Sequence, residues 1–215
     1  MAYHRKNHFK VYQVKDKFFL KAKEEGYRAR SAYKLKEILE KFKIISTGFN
    51  VLDLGSAPGS FLQVISRIVG PSGKVIGIDL KKIEPFSGKE ALKNITTYTG
   101  DVFDVNYLNQ ILGTQKFDTV TSDLMPNTTG IKFLDHDNSV DLNIAALKIT
   151  RRHLKRGGSA LFKIFNSNEL RRFLFDAKKI FKDVKSIKPA AVRATSKEIY
   201  IVCIGYLGSS TYTCK

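Results

Sequence analysis

The chain has 215 residues, 43% of them hydrophobic, and carries 37 Lys and Arg against 20 Asp and Glu, a formal net charge of +17. That length suits one domain around a single core, and so large a positive surplus exceeds what a small-molecule enzyme needs, so a polyanionic partner is implied. No apolar run reaches the roughly eighteen residues of a membrane span, the N-terminus lacks the apolar core of a secretory signal, and the only cysteines, Cys203 and Cys214, fit a reducing compartment and suggest no zinc site.

Charge is unevenly spread along the chain. Residues 1–43 hold thirteen basic and five acidic side chains and residues 147–215 hold sixteen and four, whereas residues 44–146 hold eight and eleven. Any one lysine run reads equally as a solvated helix face. Segregation to both ends suits instead a middle that binds one ligand and ends that clamp another. A basic arm over residues 1–15 is expected ahead of one domain over 16–215. Its acid-free start, Met1 to Phe9, suits a mitochondrial presequence, a tag or an RNA-binding arm alike.

Two helices are predicted first: Asp16 to Glu25, with Phe18, Phe19 and Ala22 apolar, and Ser31 to Lys41, with Ala32, Leu35, Ile38 and Leu39 on one face and Ser31 as N-cap. Strand-like runs follow at Asn50–Leu54, Lys74–Ile78, Ile95–Tyr98, Phe117–Thr121, Ser159–Phe165 and Ile199–Ile204, most of them separated by helical patterns. The apolar stretches at Val51–Leu54, Val75–Ile78 and Ala160–Phe162 are continuous, as strands buried on both faces require. The expected fold is therefore α/β, a mostly parallel central sheet with helices on both faces. The run from Glu198 to Tyr206, β-branched and aromatic, reads as an edge or late-inserted strand.

The sharpest local signal is Asp53-Leu54-Gly55-Ser56-Ala57-Pro58-Gly59-Ser60, which follows a strand and opens a helical pattern at Phe61. Glycines at such a junction allow a tight turn and close approach of a ligand to the backbone. The loop lacks the G-x-G-x-x-G of pyrophosphate binders, so a ligand without phosphates fits better, and S-adenosylmethionine is such a ligand. Asp79, about twenty residues beyond the loop, can bind ribose hydroxyls. Asp101 can accept from an adenine amino group. Asp53, Asp79 and Asp101 at three successive strand ends should face the cleft where open α/β sheets bind ligands. Asp123, after a fourth strand, would border both cofactor and substrate. Lys163 stands inside the apolar run Ala160–Phe165, where an ammonium needs an acidic partner unless it points to solvent. Lys34 and Glu198 are not singled out by spacing.

The segment Arg28-Ala29-Arg30-Ser31-Ala32-Tyr33-Lys34-Leu35, the loop from Asp53 to Ser60, Ser122-Asp123 with Pro126-Asn127, Phe162-Lys163-Ile164-Phe165, and Lys188-Pro189 followed by Glu198-Ile199-Tyr200 resemble, in this order, the FtsJ/RrmJ family of ribosomal RNA 2′-O-methyltransferases. The resemblance runs from Asp16 to Gly205. It implies a single Rossmann-like class I S-adenosylmethionine-dependent methyltransferase domain and a catalytic tetrad of Lys34, Asp123, Lys163 and Glu198. It also implies a cofactor site of Asp53, Gly55, Ser56, Pro58, Gly59, Ser60, Phe61, Asp79, Asp101 and Asp123. Phe61 stands where the family has tryptophan and is expected to flank the cofactor. Met125 and Asn166-Ser167 also depart from the family pattern, on the substrate side.

A ribose 2′-hydroxyl is a poor nucleophile, so an enzyme that methylates it must orient it and help remove its proton. On this reading Lys163 accepts the proton or stabilises the developing alkoxide, Asp123 orients Lys163, and Lys34 and Glu198 position the ribose. Leu134-Asp135-His136-Asp137 invites a metal reading. A loop before a helix is the plainer one, and no metal is expected, since the reaction needs none and no second histidine cluster completes a site. With Thr128-Thr129-Gly130 this segment resembles the mitochondrial and related bacterial branch, which implies a uridine of large-subunit ribosomal RNA, within the subunit or its precursor, as target of a monomer in a mitochondrial or cytoplasmic compartment. The competing readings are a tRNA 2′-O-methyltransferase, a non-catalytic ribosome-assembly factor of the same fold, and a methyltransferase acting on an amine or a small molecule.

Overall fold

The computed structural model describes residues 17–87, 92–125, 132–165, 169–193 and 196–208, with the side chains of 132–140 and 169 outside that description. The basic arm, Pro126 to Gly130, Asn166-Ser167 and Cys214 therefore lie outside the described residues. The elements in chain order are α1 (Lys17–Glu24), α2 (Ser31–Lys41), β1 (Asn50–Leu54), α3 (Ser60–Val69), β2 (Lys74–Asp79), β3 (Ile95–Thr99), α4 (Val105–Leu112), β4 (Phe117–Ser122), α5 (Lys132–His153), β5 (Leu154–Phe165), α6 (Glu169–Ile180), β6 (Phe181–Ile187) and β7 (Glu198–Tyr206).

The strands form one seven-stranded sheet in the order β3-β2-β1-β4-β5-β7-β6. The first five run parallel, and β7 lies antiparallel between β5 and β6. The continuous apolar runs belong to β1, β2 and β5, each covered from both sides. Leu52, Leu54, Leu108, Leu112, Phe162 and Phe173 pack in one core cluster. Leu35, Ile38, Val51, Leu62, Leu161 and Tyr200 pack in the other, under α2 and α3. Successive strand residues face opposite sides. Leu161 and Phe162 thus fall in different clusters, and Lys163, two past Leu161, falls on the α2 side.

Three expectations need correcting. Ser31 is not an N-cap: the cap position is Arg30, whose side chain makes no capping hydrogen bond, and Ser31 is the first helical residue, its Oγ lying 2.7 Å from Ser60 Oγ. Of the two readings of Glu198–Tyr206, the edge strand falls and the late-inserted strand holds, since it lies between β5 and the unforeseen β6. Leu134–Asp137, read as a loop, lies within α5. The sequence of β6, Phe-Lys-Asp-Val-Lys-Ser-Ile, hides a strand because half its residues are charged or polar, as an edge allows. It also follows α6 with no Gly or Pro to mark the break.

Candidate active site

From β1 the chain works outward through α3 to β2 and β3, then returns to place β4 on the other side of β1. Ligands of open α/β sheets bind at the carboxyl ends of the strands where the order reverses in this way. A cavity of about 670 Å3 opens there, lined among others by Gly55 and Ala57, Asp79 and Lys81, Asp101 and Phe103, and Asp123 and Lys163. Its size is that of a small-molecule site.

The backbone makes this cavity possible. Gly55 has φ +76°, and a Cβ there would lie 2.7 Å from the Leu124 nitrogen and 2.9 Å from the Asp123 carbonyl carbon, so only glycine lets the turn after β1 pass the turn after β4. The Asp123 N–H donates to the Leu54 carbonyl at 2.9 Å, closing that contact. Asp79 ties the glycine loop to its own strand end: its carboxylate accepts from Ala57 N–H and from Lys81 N–H, each at 2.8 Å. Asp101 accepts from Phe103 N–H at 2.9 Å.

The four residues of the expected tetrad, drawn from α2, β7, β5 and the end of β4, form two ion pairs. Lys163 Nζ donates to the Asp123 carbonyl at 2.7 Å and lies 3.1 Å from Asp123 Oδ1. Lys34 Nζ donates to Glu198 Oε1 at 2.6 Å, with both side chains almost wholly buried. Lys163 and Asp123 line the cavity, and the Lys34–Glu198 pair does not. Tyr200, which sequence reasoning quoted without assigning a role, connects the pairs. It sits directly across from Lys163 in the β5–β7 register and donates its hydroxyl to Asp123 Oδ1 at 3.0 Å. Burial, reinforced by the Asp123 and Glu198 carboxylates, holds its phenol well above the usual range, so it stays a donor. The sequence signal for it was period 2: Tyr200 shares a face of the strand with Glu198.

The cofactor residues are brought together less completely. Gly55, Asp79, Asp101 and Asp123 line the cavity; Ser56, Pro58, Gly59, Ser60 and Phe61 do not. Phe61, expected to flank the cofactor, is buried in the core cluster under α2 and α3. Ser56 Oγ donates to the Asp53 carbonyl at 2.6 Å, which shapes the loop. Asp53 does not face the cleft either. It is fully buried, and Thr121 Oγ1 on the neighbouring β4 donates to its Oδ1 at 2.5 Å. Its Oδ2 meets no hydrogen-bond partner among the described residues. Leu80, Lys81, Phe103 and Leu142 also line the cavity and carried no sequence signal beyond adjacency to the aspartates.

Burial pushes the Asp53 carboxyl up to about 7, the charges of Asp123 and Asp79 adding to the effect while the Thr121 hydrogen bond opposes it. The folded value lies above the unfolded one. The protonated carboxyl is therefore tolerated fully below about pH 4, and stability is lost as pH rises toward 7, by about 1.4 kcal/mol per pH unit for one proton. Denaturant unfolding at pH 5 and pH 8 should show wild type losing more stability over this interval than Asp53→Asn. Equal losses would mean that Asp53 ionises freely in the folded chain.

The residues match the FtsJ-like methyltransferase model over 27–206. The chain belongs to that family. It is 47% identical over 191 residues to a ribosomal RNA large subunit methyltransferase E of Methanothrix thermoacetophila, covering 87% of this chain and 71% of that protein. It is 42% identical over 204 residues to the protein of the same name in Nitratidesulfovibrio vulgaris strain DP4, covering 93% and 97%. A crystal structure of a ribosomal RNA methyltransferase from Plasmodium falciparum superposes with TM-score 0.72 at 30% identity, over 85% of this chain and all of that one. Aeropyrum pernix fibrillarin, solved with S-adenosyl-L-methionine, shares the fold at TM-score 0.59 and 18% identity, over 81% and 76%. The archaeal and bacterial relatives lend no support to a mitochondrial address. No helix among the described residues is long and apolar enough to cross a membrane.

The protein is thus an S-adenosylmethionine-dependent methyltransferase, and its cavity fits that cofactor on charge. Asp79, Asp101, Asp123 and Asp141 line it against two lysines, Lys81 and Lys163. Such a wall suits a ligand carrying sulfonium and ammonium charges and repels phosphate.

Proposed function

We propose that the chain transfers a methyl group from S-adenosylmethionine to a ribose 2′-hydroxyl of large-subunit ribosomal RNA, a uridine within the subunit or its precursor, and acts as a monomer. The observation that carries this reading is Lys163. Its ammonium reaches the cofactor cavity from a strand interior, held in one direction by the carbonyl and the carboxylate of Asp123. The cofactor supplies an activated methyl on a sulfonium. What this chain must supply is an aligned hydroxyl and an outlet for its proton. Lys163, fixed by Asp123 and, through Asp123, by Tyr200, accepts that proton as the neutral amine or, as the ammonium, stabilises the developing alkoxide. Lys34 and Glu198, locked to each other behind Tyr200, position the ribose.

Exposed cations supply the RNA contacts. Lys17, Lys21 and Lys23 lie on α1, Arg171, Arg172, Lys178 and Lys179 on α6, and Arg193 and Lys197 before β7. Structured RNA is bound largely through its phosphates. The names of the relatives supply the choice of large-subunit RNA.

Labelled methyl transfer from S-adenosylmethionine to large-subunit particles and to tRNA tests the reading. Label in the large ribosomal RNA, mapped to a 2′-oxygen, is the expected result. Label in tRNA alone would move the enzyme to the tRNA-modifying branch, and cofactor and RNA binding without transfer to either would make it an assembly factor.

A further inference from the structure

Arg28 belongs to the segment that carries Lys34, yet nothing in the reaction above uses it. It stands in the turn between α1 and α2 and does not line the cavity. Its guanidinium nevertheless holds both walls of the cavity from outside. Nη1 donates to the Pro58 carbonyl of the glycine loop at 3.0 Å and to the Glu84 carbonyl at 2.6 Å, and Nη2 donates to the Pro85 carbonyl at 2.8 Å. Its Cζ lies over the Phe86 ring, 3.8 Å from the ring centre. These contacts use the planar fork of arginine, which lysine cannot copy.

Of the parts tied together, segment 80–87 is the weakly held one. In the segment 80–87 only Ile83 is buried, and Leu80 and Lys81 at its start face the cofactor cavity. The glycine loop on the other wall meets the same group. A Cβ on Gly59, at φ +107°, would lie 2.8 Å from the Phe86 ring and 3.2 Å from Arg28 Nη1. The joint continues into the backbone. Arg28 N–H donates to Gln63 Oε1 at 2.9 Å, and Gln63, itself fully buried, donates back to the Gly26 carbonyl at 2.8 Å. Ser31 and Ser60 meet through their hydroxyls. The turn that starts the Lys34 helix, the loop after β1 and the loop after β2 are therefore one hydrogen-bonded unit with Arg28 at its centre.

We infer that Arg28 is a positioning residue that fixes the separation of the two loops flanking the cofactor and so sets cofactor affinity without touching the cofactor. The inference rests on the S-adenosylmethionine reading of the cavity. Without Arg28, segment 80–87 loses two hydrogen-bonded carbonyl contacts and its stacking partner, the glycine loop loses the contact at Pro58, and the two drift apart. Groups that hold a binding surface in place from outside are commonly worth ten- to a hundredfold in ligand affinity.

The test uses the full chain as wild type, Arg28→Met and Arg28→Lys, with calorimetric binding of S-adenosylmethionine and hydrogen exchange of the free protein. Arg28→Met is expected to raise the cofactor Kd about tenfold or more and to speed exchange of the amides in 80–87, leaving those of β4 and β5 protected. In turnover it should raise KM for the cofactor by more than it lowers kcat. Arg28→Lys should recover part of the affinity at most, and it carries the test if Arg28→Met does not fold. A folded Arg28→Met with wild-type Kd and wild-type exchange in 80–87 would overturn the inference, as would full recovery by lysine. If wild type itself binds no S-adenosylmethionine, the reading of the cavity and the affinity claim fall together. Exchange in 80–87 then separately decides whether Arg28 pins that loop.

Discussion

Lys163→Ala is expected to slow methyl transfer by about 10²–10⁴-fold, the usual worth of a positioned acid–base group, while the Kd for S-adenosylmethionine stays within a few fold of wild type. The separation follows from where the contacts fall. Lys163 spends two of its donors on Asp123, and the polar ties that shape the glycine loop and the turn after β2 run through Asp79, Ser56 and the backbone instead. Truncating Lys163 leaves Asp123 with the Tyr200 hydroxyl as partner, and the Asp123 side chain is partly exposed, so the remaining carboxylate is not stranded in an apolar site. Single-turnover transfer alongside calorimetric cofactor binding checks both halves. A variant that transfers at the wild-type rate would remove Lys163 from the chemistry, and a variant that loses transfer and cofactor binding together would make it a wall of the cavity rather than a reacting group.

Most of the architecture could be read from the sequence because its signals are local. The runs at Asn50–Leu54 and Ser31–Lys41 match β1 and α2 residue for residue, since a strand covered on both faces and an amphipathic helix each print their period directly. What stayed hidden depends on contacts between distant segments. The strand β6 is a half-polar edge defined by its pairing with β7. Asp53 has the sequence context of a cleft residue, but it is fully buried and bonded to Thr121 of β4. Phe61 follows the glycine loop closely enough to suggest a cofactor contact, yet the first turn of α3 points it into the core. Conversely, Lys34 and Glu198 are 164 positions apart and individually ordinary. Only the family resemblance selected them, and only the fold brings them within 2.6 Å.

That buried pair gives the largest expected effect on stability. Lys34 Nζ and Glu198 Oε1 have side-chain exposures of 10% and 7%, so removing one partner leaves a charge with little access to water. Lys34→Met is expected to cost about 3–5 kcal/mol, because it leaves the buried Glu198 carboxylate without the cation it is paired with. Glu198→Met should cost about as much by stranding the Lys34 ammonium. The double variant removes both charges and fills the space with apolar atoms, and it should regain most of the loss, since replacing a whole buried ion pair by hydrophobic side chains is often neutral or better. Denaturant unfolding of the four proteins gives the coupling directly. Methyl transfer by the double variant separates the two roles the pair could have. Restored stability with transfer still lost would mean that the charges act on the ribose, whereas restored stability with restored transfer would reduce the pair to a strut that holds α2 against β7. If the double variant is as unstable as the sum of the singles, the two groups do not stabilise the fold through each other, and the 2.6 Å contact is not the reason they are buried together.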